Sequence, residues 1–332
     1  MEHMTASRPK ALVTAAVRGP GLDLLGELAD LVLDSWLDQP SLRIYNEEQL
    51  AERVAAEGAN LVVVESDKCS GKLFEQPLIA VASCRGDPNN VDVAAATEAG
   101  VPVLRAPGRN ADAVAEIAVA LLFAATRRVV AADRDVRSGD IYKDGTIPYQ
   151  RFRAWELAGR TAGLVGLGAV GRALRWRLRG LGMEVLAYDP YAPDATSGLD
   201  ELLERADVVS VHAPVTDETA GMIGAAEFGR MRDGAVFLNT ARAALHDTDA
   251  LVAALESKKL SAAGLDHFEG EWLDPKHPLA ALDSVVLTPH IGGATYDTES
   301  NHTTTIAEDL CRLMAGARPR NIVNPEVLDR RA

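Results

Sequence analysis

Three polar residues late in the chain, Arg242, Glu271 and His290, each follow or end a short apolar run: AVFLNTA, LDHFEG and VVLTPH. Their types suit exchange of a hydride between an alcohol and a carbonyl. An imidazole takes the hydroxyl proton as hydride leaves and returns it in the reverse direction. A carboxylate against its other nitrogen fixes the tautomer and favours the imidazolium. A guanidinium grips a substrate carboxylate as a fork and polarises the adjacent carbonyl. A single histidine at a strand end is more often structural, so the reading rests on the set.

Such chemistry needs a hydride carrier, and Gly166-Leu-Gly168-Ala-Val-Gly171 supplies the pattern for one. It follows the apolar run LVGL and opens a helical pattern, the context in which glycines allow a tight turn and close backbone approach to a pyrophosphate. The helix N-terminus at Ala169 and Val170 would offer free N–H groups to the phosphates. Asp189 ends the next strand, 18 positions after Gly171 (189 − 171), where a carboxylate can accept from both ribose hydroxyls and repel a 2′-phosphate. NAD is therefore expected over NADP. His212 and Pro214 in VHAPVT, and Thr240 in AVFLNTA, are expected to wall the same cofactor pocket. The arginines at 172, 175, 177 and 179 are read mainly as a solvated helix face.

The elements that must carry these residues alternate short β runs with helices, which predicts parallel sheets covered on both faces. One α/β run occupies the first hundred or so residues and a second begins at Thr161. Ligand sites in such sheets form outside the carboxyl ends of strands, so Arg242, Glu271 and His290 could converge on one crevice. Between the runs, residues 110–140 read as one long helix, with Asn110 or Asp112 as N-cap and Gly139 as stop.

The 332 residues match two domains at about 150 residues each. Apolar residues make up 47% and charged residues 25%, an ordinary globular composition. The net charge of −14 disfavours nucleic-acid or membrane-surface binding, although local arginines could still hold a small anion. Cys69, Cys84 and Cys311 read as free thiols in a reducing, cytoplasmic setting, with no disulfide frame, and no metal is expected. The N-terminal MEHMTASRPK lacks the apolar core of a signal peptide, and no run is long enough to span a membrane.

The chain resembles the D-isomer-specific 2-hydroxyacid dehydrogenases, most closely the branch with D-3-phosphoglycerate dehydrogenases. The segments carrying the likeness are CRGDPNNVD, PGRNADAVAE, GLVGLGAVGRAL, VHAPVTDETAGMIG, NTARAALHD, AGLDHFEGE and LTPHIGG. The resemblance implies two doubly wound parallel-sheet domains. A Rossmann NAD-binding domain (residues 111–295) would be inserted in a flavodoxin-like substrate-binding domain (1–110 and 296–332). It implies Arg242 as substrate clamp, Glu271 as partner of the histidine and His290 as acid/base. Asp266 and Gly292 are assigned to the cofactor, and the loop at Arg85 and Gly86 to the substrate carboxylate. A homodimer built on the cofactor domain, including the helix near 111–137, is also implied.

Several positions depart from the family pattern. Ala243-Ala244 replace the usual Gly-Gly, Trp272 replaces a proline, His267 an aliphatic residue, and Arg105 a small polar one. Arg105, near Arg85 and Arg109 in sequence, suggests a 2-oxoacid or 2-hydroxyacid substrate with a second anionic group, phosphate or phosphonate. Two alternatives share the scaffold: a phosphite or hydroxymethylphosphonate-type dehydrogenase, and a non-catalytic NAD(H)-binding regulator. His246, His267, His277 and His302 are read as surface or interface histidines, and Cys84 as a small buried filler.

Overall fold

The computed structural model describes residues 8–330. The first seven residues, which hold most of the segment read above for a leader, lie outside the described residues. The chain divides into two compact units. Among the described residues, one contains residues 8–109 and 295–330, the other residues 110–294.

The first unit has five parallel strands: β1 (Lys10–Val13), β2 (Asp30–Leu33), β3 (Leu61–Val64), β4 (Ala80–Ser83) and β5 (Val103–Leu104). Their order, β2-β1-β3-β4-β5, is that of a flavodoxin-like doubly wound sheet. Successive residues point to opposite faces. Val13, Leu61 and Val63 therefore pack with Leu25, Ile306 and Leu310 on one face, while Leu12, Val62 and Val64 pack with Leu50, Val54 and Leu73 on the other. Strand β2 was not legible in the sequence. Its four residues, DLVL, follow a helical pattern without a breaker, and only pairing with β1 draws them out as an edge strand.

The C-terminal segment completes this unit. Helix Tyr296–Met314 is capped by Thr295, whose hydroxyl accepts from the Thr298 amide at 3.1 Å. Buried Asp309 on that helix accepts from the backbone amides of Arg320 and Asn321 at 2.6 and 2.8 Å. The segment so anchored lies along β5, where Val103 donates to the Asn324 side chain and Arg105 N–H donates to the Asn321 carbonyl.

The second unit has six parallel strands: β6 (Thr161–Val165), β7 (Glu184–Tyr188), β8 (Val208–Val211), β9 (Ala235–Asn239), β10 (Leu260–Leu265) and β11 (Val285–Leu287). They run in the order β11-β10-β9-β8-β6-β7. The chain leaves β6 toward β7 on one side and returns to β8 on the other, which makes the carboxyl ends of β6 and β8 the topological switch point. A six-stranded Rossmann sheet would carry one more strand beyond β7 before this reversal; here residues 189–198 form a loop, with Thr196 bonded back to Ala187. One face buries Phe228, Phe237, Leu202 and Leu251, and the other buries Leu121, Leu122, Leu174 and Leu178. Each fully buried side chain of this size contributes about 1.5–3 kcal/mol.

The long helix expected over 110–140 is broken. Ala111–Thr126 and Val129–Ser138 are separate helices, because Arg128 takes a left-handed conformation (φ 51°) and its guanidinium donates to the Arg151 carbonyl at 2.8 Å. Gly139, also left-handed, ends the second helix as the sequence suggested. Asn110 occupies the N-cap position but makes no side-chain cap bond.

Candidate active site

The three acid–base and clamp candidates converge because their strands are adjacent. The parallel register aligns Asn239, Leu265 and Leu287 across β9, β10 and β11. The turns leaving these strands therefore emerge side by side at one sheet edge.

Asn239 shapes the first turn. Its buried amide donates to the Arg242 carbonyl at 2.8 Å and to His246 Nδ1 at 2.9 Å, and its Oδ1 accepts from the Ala241 amide at 2.9 Å. The turn closes with Ala243–Leu245 in a short 3-10 helix, so the replacement of two glycines by alanines is accommodated at ordinary negative φ. Arg242 projects exposed from this turn, and its guanidinium reaches His267 Nε2 at 3.4 Å.

Asp266 shapes the third turn. It is fully buried, and its carboxylate accepts from the Thr288 hydroxyl at 2.6 Å and from the amides of Ile291 and Gly292 at 2.9 and 2.8 Å. A Cβ on residue 292 would fall 2.8 Å from Asp266 Oδ2, so only glycine fits there. Asp266 and Gly292, assigned from the resemblance to the cofactor, thus hold the turn that presents His290.

Glu271 closes the second turn, and its Oε1 lies 2.9 Å from His290 Nδ1. Both residues are left-handed, at φ 56° and 54°. For non-glycine residues this conformation is uncommon and persists where the surroundings over-determine it.

His267 sits between these groups. Its Nδ1 is 3.6 Å from Glu271 Oε1, and its ring centroid is 3.8 Å from that of His290. Burial, together with the neighbouring His290 and Arg242, pushes its imidazole down to about 4. The surface reading of His267 is corrected: it is 5% exposed, and His246 and His302 are also buried. His246 and His267 follow strands β9 and β10, while His302 lies within helix Tyr296–Met314 with its Nε2 2.6 Å from the Ala16 carbonyl, and the cover over each comes from segments distant in sequence. His277 instead caps the short helix Pro278–Ala281.

The glycine loop lies at the switch point. Gly166 has φ 99°, and a Cβ there would meet the His212–Ala213 peptide at 2.7 Å. A Cβ on Gly171 would fall 2.2 Å from the Gly166 carbonyl oxygen. Above Gly168 no protein atom lies within 4 Å of where a Cβ would be. Helix Ala169–Gly180 begins directly after Gly168 without a side-chain cap, leaving its first N–H groups for an anion. Asp189 Oδ2 accepts from the Leu167 amide at 2.8 Å and Oδ1 from the Tyr191 amide at 2.9 Å, tying the end of β7 to the loop. Thr240 Oγ1 and His212 Nδ1 are buried without a hydrogen-bond partner, while His212 Nε2 is 2.8 Å from the Ser210 hydroxyl. Burial pushes His212 down to about 4, so it is neutral at physiological pH. Pro214 follows in an exposed loop. An open cradle over Gly168, an uncapped helix start and two unpartnered polar atoms fit a dinucleotide.

The arginines after the loop are not merely solvated. Arg172 and Arg175 both pair with Asp194, at 2.5 and 2.9 Å, and Arg177 bridges Asp112 and Glu116.

In the first unit, the Arg85 carbonyl accepts from the Ala106 amide at 2.8 Å, which brings the Arg85–Gly86 loop beside Arg105. Arg105 is exposed, and its guanidinium reaches the Gly86 carbonyl at 3.4 Å. Among the described residues no ion pair engages it. Arg109, grouped with it in the sequence reading, is committed elsewhere: it pairs with Glu65 at 2.6 Å and contacts His302 Nδ1 at 2.7 Å. Cys84 is fully buried, and burial pushes its thiol up, which fits a packing role.

Residues 119–292 match the family described as "D-isomer specific 2-hydroxyacid dehydrogenase, NAD binding domain". A glyoxylate reductase of Thermofilum pendens is 37% identical over 333 residues, covering 97% of this chain and 96% of the relative. A D-3-phosphoglycerate dehydrogenase of Archaeoglobus fulgidus is 41% identical over 244 residues, 71% of this chain but 45% of that longer relative. Among solved structures, the TT0316 protein from Thermus thermophilus superposes with a TM-score of 0.80 at 35% identity, covering 95% of this chain and 99% of that one. No helix among the described residues is long and apolar enough to cross a membrane.

Proposed function

As the chain belongs to the D-isomer-specific 2-hydroxyacid dehydrogenase family and is an NAD-dependent dehydrogenase acting on CH–OH donors, we propose that it interconverts a small D-2-hydroxyacid and its 2-oxoacid, with a second anionic group on the substrate. The observation that carries the reading is the 2.9 Å contact of Glu271 with His290 beside Arg242 on adjacent strand ends.

In this reading NAD, when bound, supplies the hydride acceptor or donor. The residues that would hold it are the Gly166–Gly168 loop, the N–H groups at Ala169 and Val170, Asp189, His212 and Thr240. His290 Nε2 takes the substrate hydroxyl proton in oxidation and returns it to the carbonyl oxygen in reduction. Glu271 on Nδ1 orients the ring and offsets the charge it gains. Arg242 draws the substrate carboxylate into register and withdraws electron density from C2.

Arg105 and the Arg85–Gly86 loop are assigned to the anionic ends of the substrate. Support comes from the exposed guanidinium of Arg105 beside Gly86. The competing substrate is glyoxylate, which has a single carboxylate, and it is favoured by the name of the relative that matches over nearly its whole length. NADH oxidation across glyoxylate, hydroxypyruvate, phosphohydroxypyruvate and phosphonate analogues separates the two. Arg105→Ala is expected to lower kcat/KM about 10–100-fold for phosphorus-bearing substrates, the value of one charged contact, and to leave glyoxylate little changed. An unchanged ratio would remove the second anionic group from the proposal. Tight NADH binding with no turnover on any substrate would favour the regulator instead.

A homodimer is proposed on the second unit. Val129 and Val136, seven residues apart on one side of helix Val129–Ser138, are more than half exposed, as are Tyr142 and Tyr149 after it, apolar surface that a second copy would cover. Light scattering on the purified chain tests it.

A further inference from the structure

We infer that His267, Glu271 and His290 form a binding site for a divalent transition metal of the zinc type, and that the bound metal silences the acid–base pair. The three donor atoms lie within 4.8 Å of one another. Glu271 Oε1 is 2.9 Å from His290 Nδ1 and 3.6 Å from His267 Nδ1. Ligands about 2.1 Å from a tetrahedral zinc stand about 3.4 Å apart, between the two distances to Glu271 and inside the 4.8 Å that bounds all three pairs. Two imidazoles and a carboxylate are a donor set that zinc accepts readily, with a fourth position left to water.

Access and rigidity both favour the site. The Glu271 and His290 side chains are about half exposed, 54% and 45%, so a hydrated cation can reach them. His267 is held at the buried base of the cluster, and the left-handed backbones of Glu271 and His290 fix where their side chains begin. Arg242 faces Nε2 of His267, the nitrogen away from Glu271, at 3.4 Å. Metal on Nδ1 leaves the proton on Nε2, which cannot accept from a guanidinium. Binding therefore turns Arg242 away from the His267 ring as well as occupying the His290 nitrogen that faces Glu271.

The inhibitory consequence rests on the roles proposed for Glu271, His290 and Arg242; the binding does not. The test uses the full chain, stripped with a chelator and dialysed, then titrated with Zn²⁺ alone by calorimetry and with Co²⁺ by visible absorption. One site per chain and a tetrahedral Co²⁺ band are expected. His267→Leu and Glu271→Gln are each expected to weaken binding at least about 100-fold, since loss of an outer-shell partner alone costs 10–100-fold. Should His267→Leu not fold, as judged by its thermal melt, His267→Gln replaces it. Absence of binding, or binding undiminished in these variants, overturns the site. Turnover of the wild type unaffected by Zn²⁺ at saturating occupancy overturns the inhibition. Intact binding in a chelated protein that turns over no 2-oxoacid supports the site while counting against the dehydrogenase reading.

Discussion

Glu271 and His290 lie 19 residues apart in sequence, yet Oε1 of one meets Nδ1 of the other at 2.9 Å, and both hold left-handed backbones. The two turns converge because β10 and β11 are neighbours in register. Uncommon backbone states at both members of a pair are usual where geometry serves chemistry. His290→Asn is expected to lower kcat about 10²–10⁴-fold, or roughly 3–5 kcal/mol of barrier, with NADH affinity kept. Steady-state kinetics beside a fluorescence titration of NADH checks both; near-normal kcat would remove His290 from the chemistry.

Asp266 makes a separable prediction. Its buried carboxylate accepts three bonds from the turn that carries His290. Asp266→Asn turns one oxygen into a donor facing another donor, at a cost of about 2–4 kcal/mol in urea-unfolding stability and a loss of turnover. Full stability in this variant would mean that the turn is held by other contacts.

The glycine loop divides a structural glycine from a ligand-facing one. Gly171→Ala places a methyl 2.2 Å from the Gly166 carbonyl, so the thermal midpoint is expected to fall. Gly168→Ala meets no protein atom, so the midpoint is expected to hold while NADH affinity drops. Equal effects of the two on stability would contradict the geometry.

His246 gives a pH signature. Burial pushes its imidazole down to about 4 from an ordinary 6.5, and its Nε2 has no partner. The unfolded chain therefore binds a proton that the folded chain refuses between these values. Stability is full above pH 6.5 and is lost as pH falls from 6.5 toward 4, by about 3 kcal/mol for this residue. Asn239 donates to Nδ1, so His246→Asn keeps an acceptor there and is expected to lose correspondingly less over the same window. Parallel stability curves for the two proteins would refute the assignment.

Motifs with a backbone purpose are legible in the sequence alone. The spacing of Gly166, Gly168 and Gly171 encodes a tight turn, a close approach to a pyrophosphate and a close packing contact; the turn and the contact are seen at Gly166 and Gly171, and open space lies at Gly168. Strand-ending Arg242, Glu271 and His290 were also readable, because a parallel sheet delivers such residues to one edge. The unbroken helix over 110–140 failed at Arg128, since an arginine carries no local sign that it will turn left-handed to reach the Arg151 carbonyl. Strand β2 was missed because its pairing with β1 outweighs a weak local preference.

The amino-acid order by itself determined the alternation of strand and helix, the glycine-loop pattern and the three polar candidates Arg242, Glu271 and His290 at strand ends. Those depend on contacts within a few residues or on period. Only the tertiary structure decided that His267 lies against His290 and Glu271, that Asp266 serves the His290 turn, and that Arg109 is committed to Glu65 while Arg105 is not. Burial and pairing partners come from segments far apart in the chain, and no local pattern records which of them will meet.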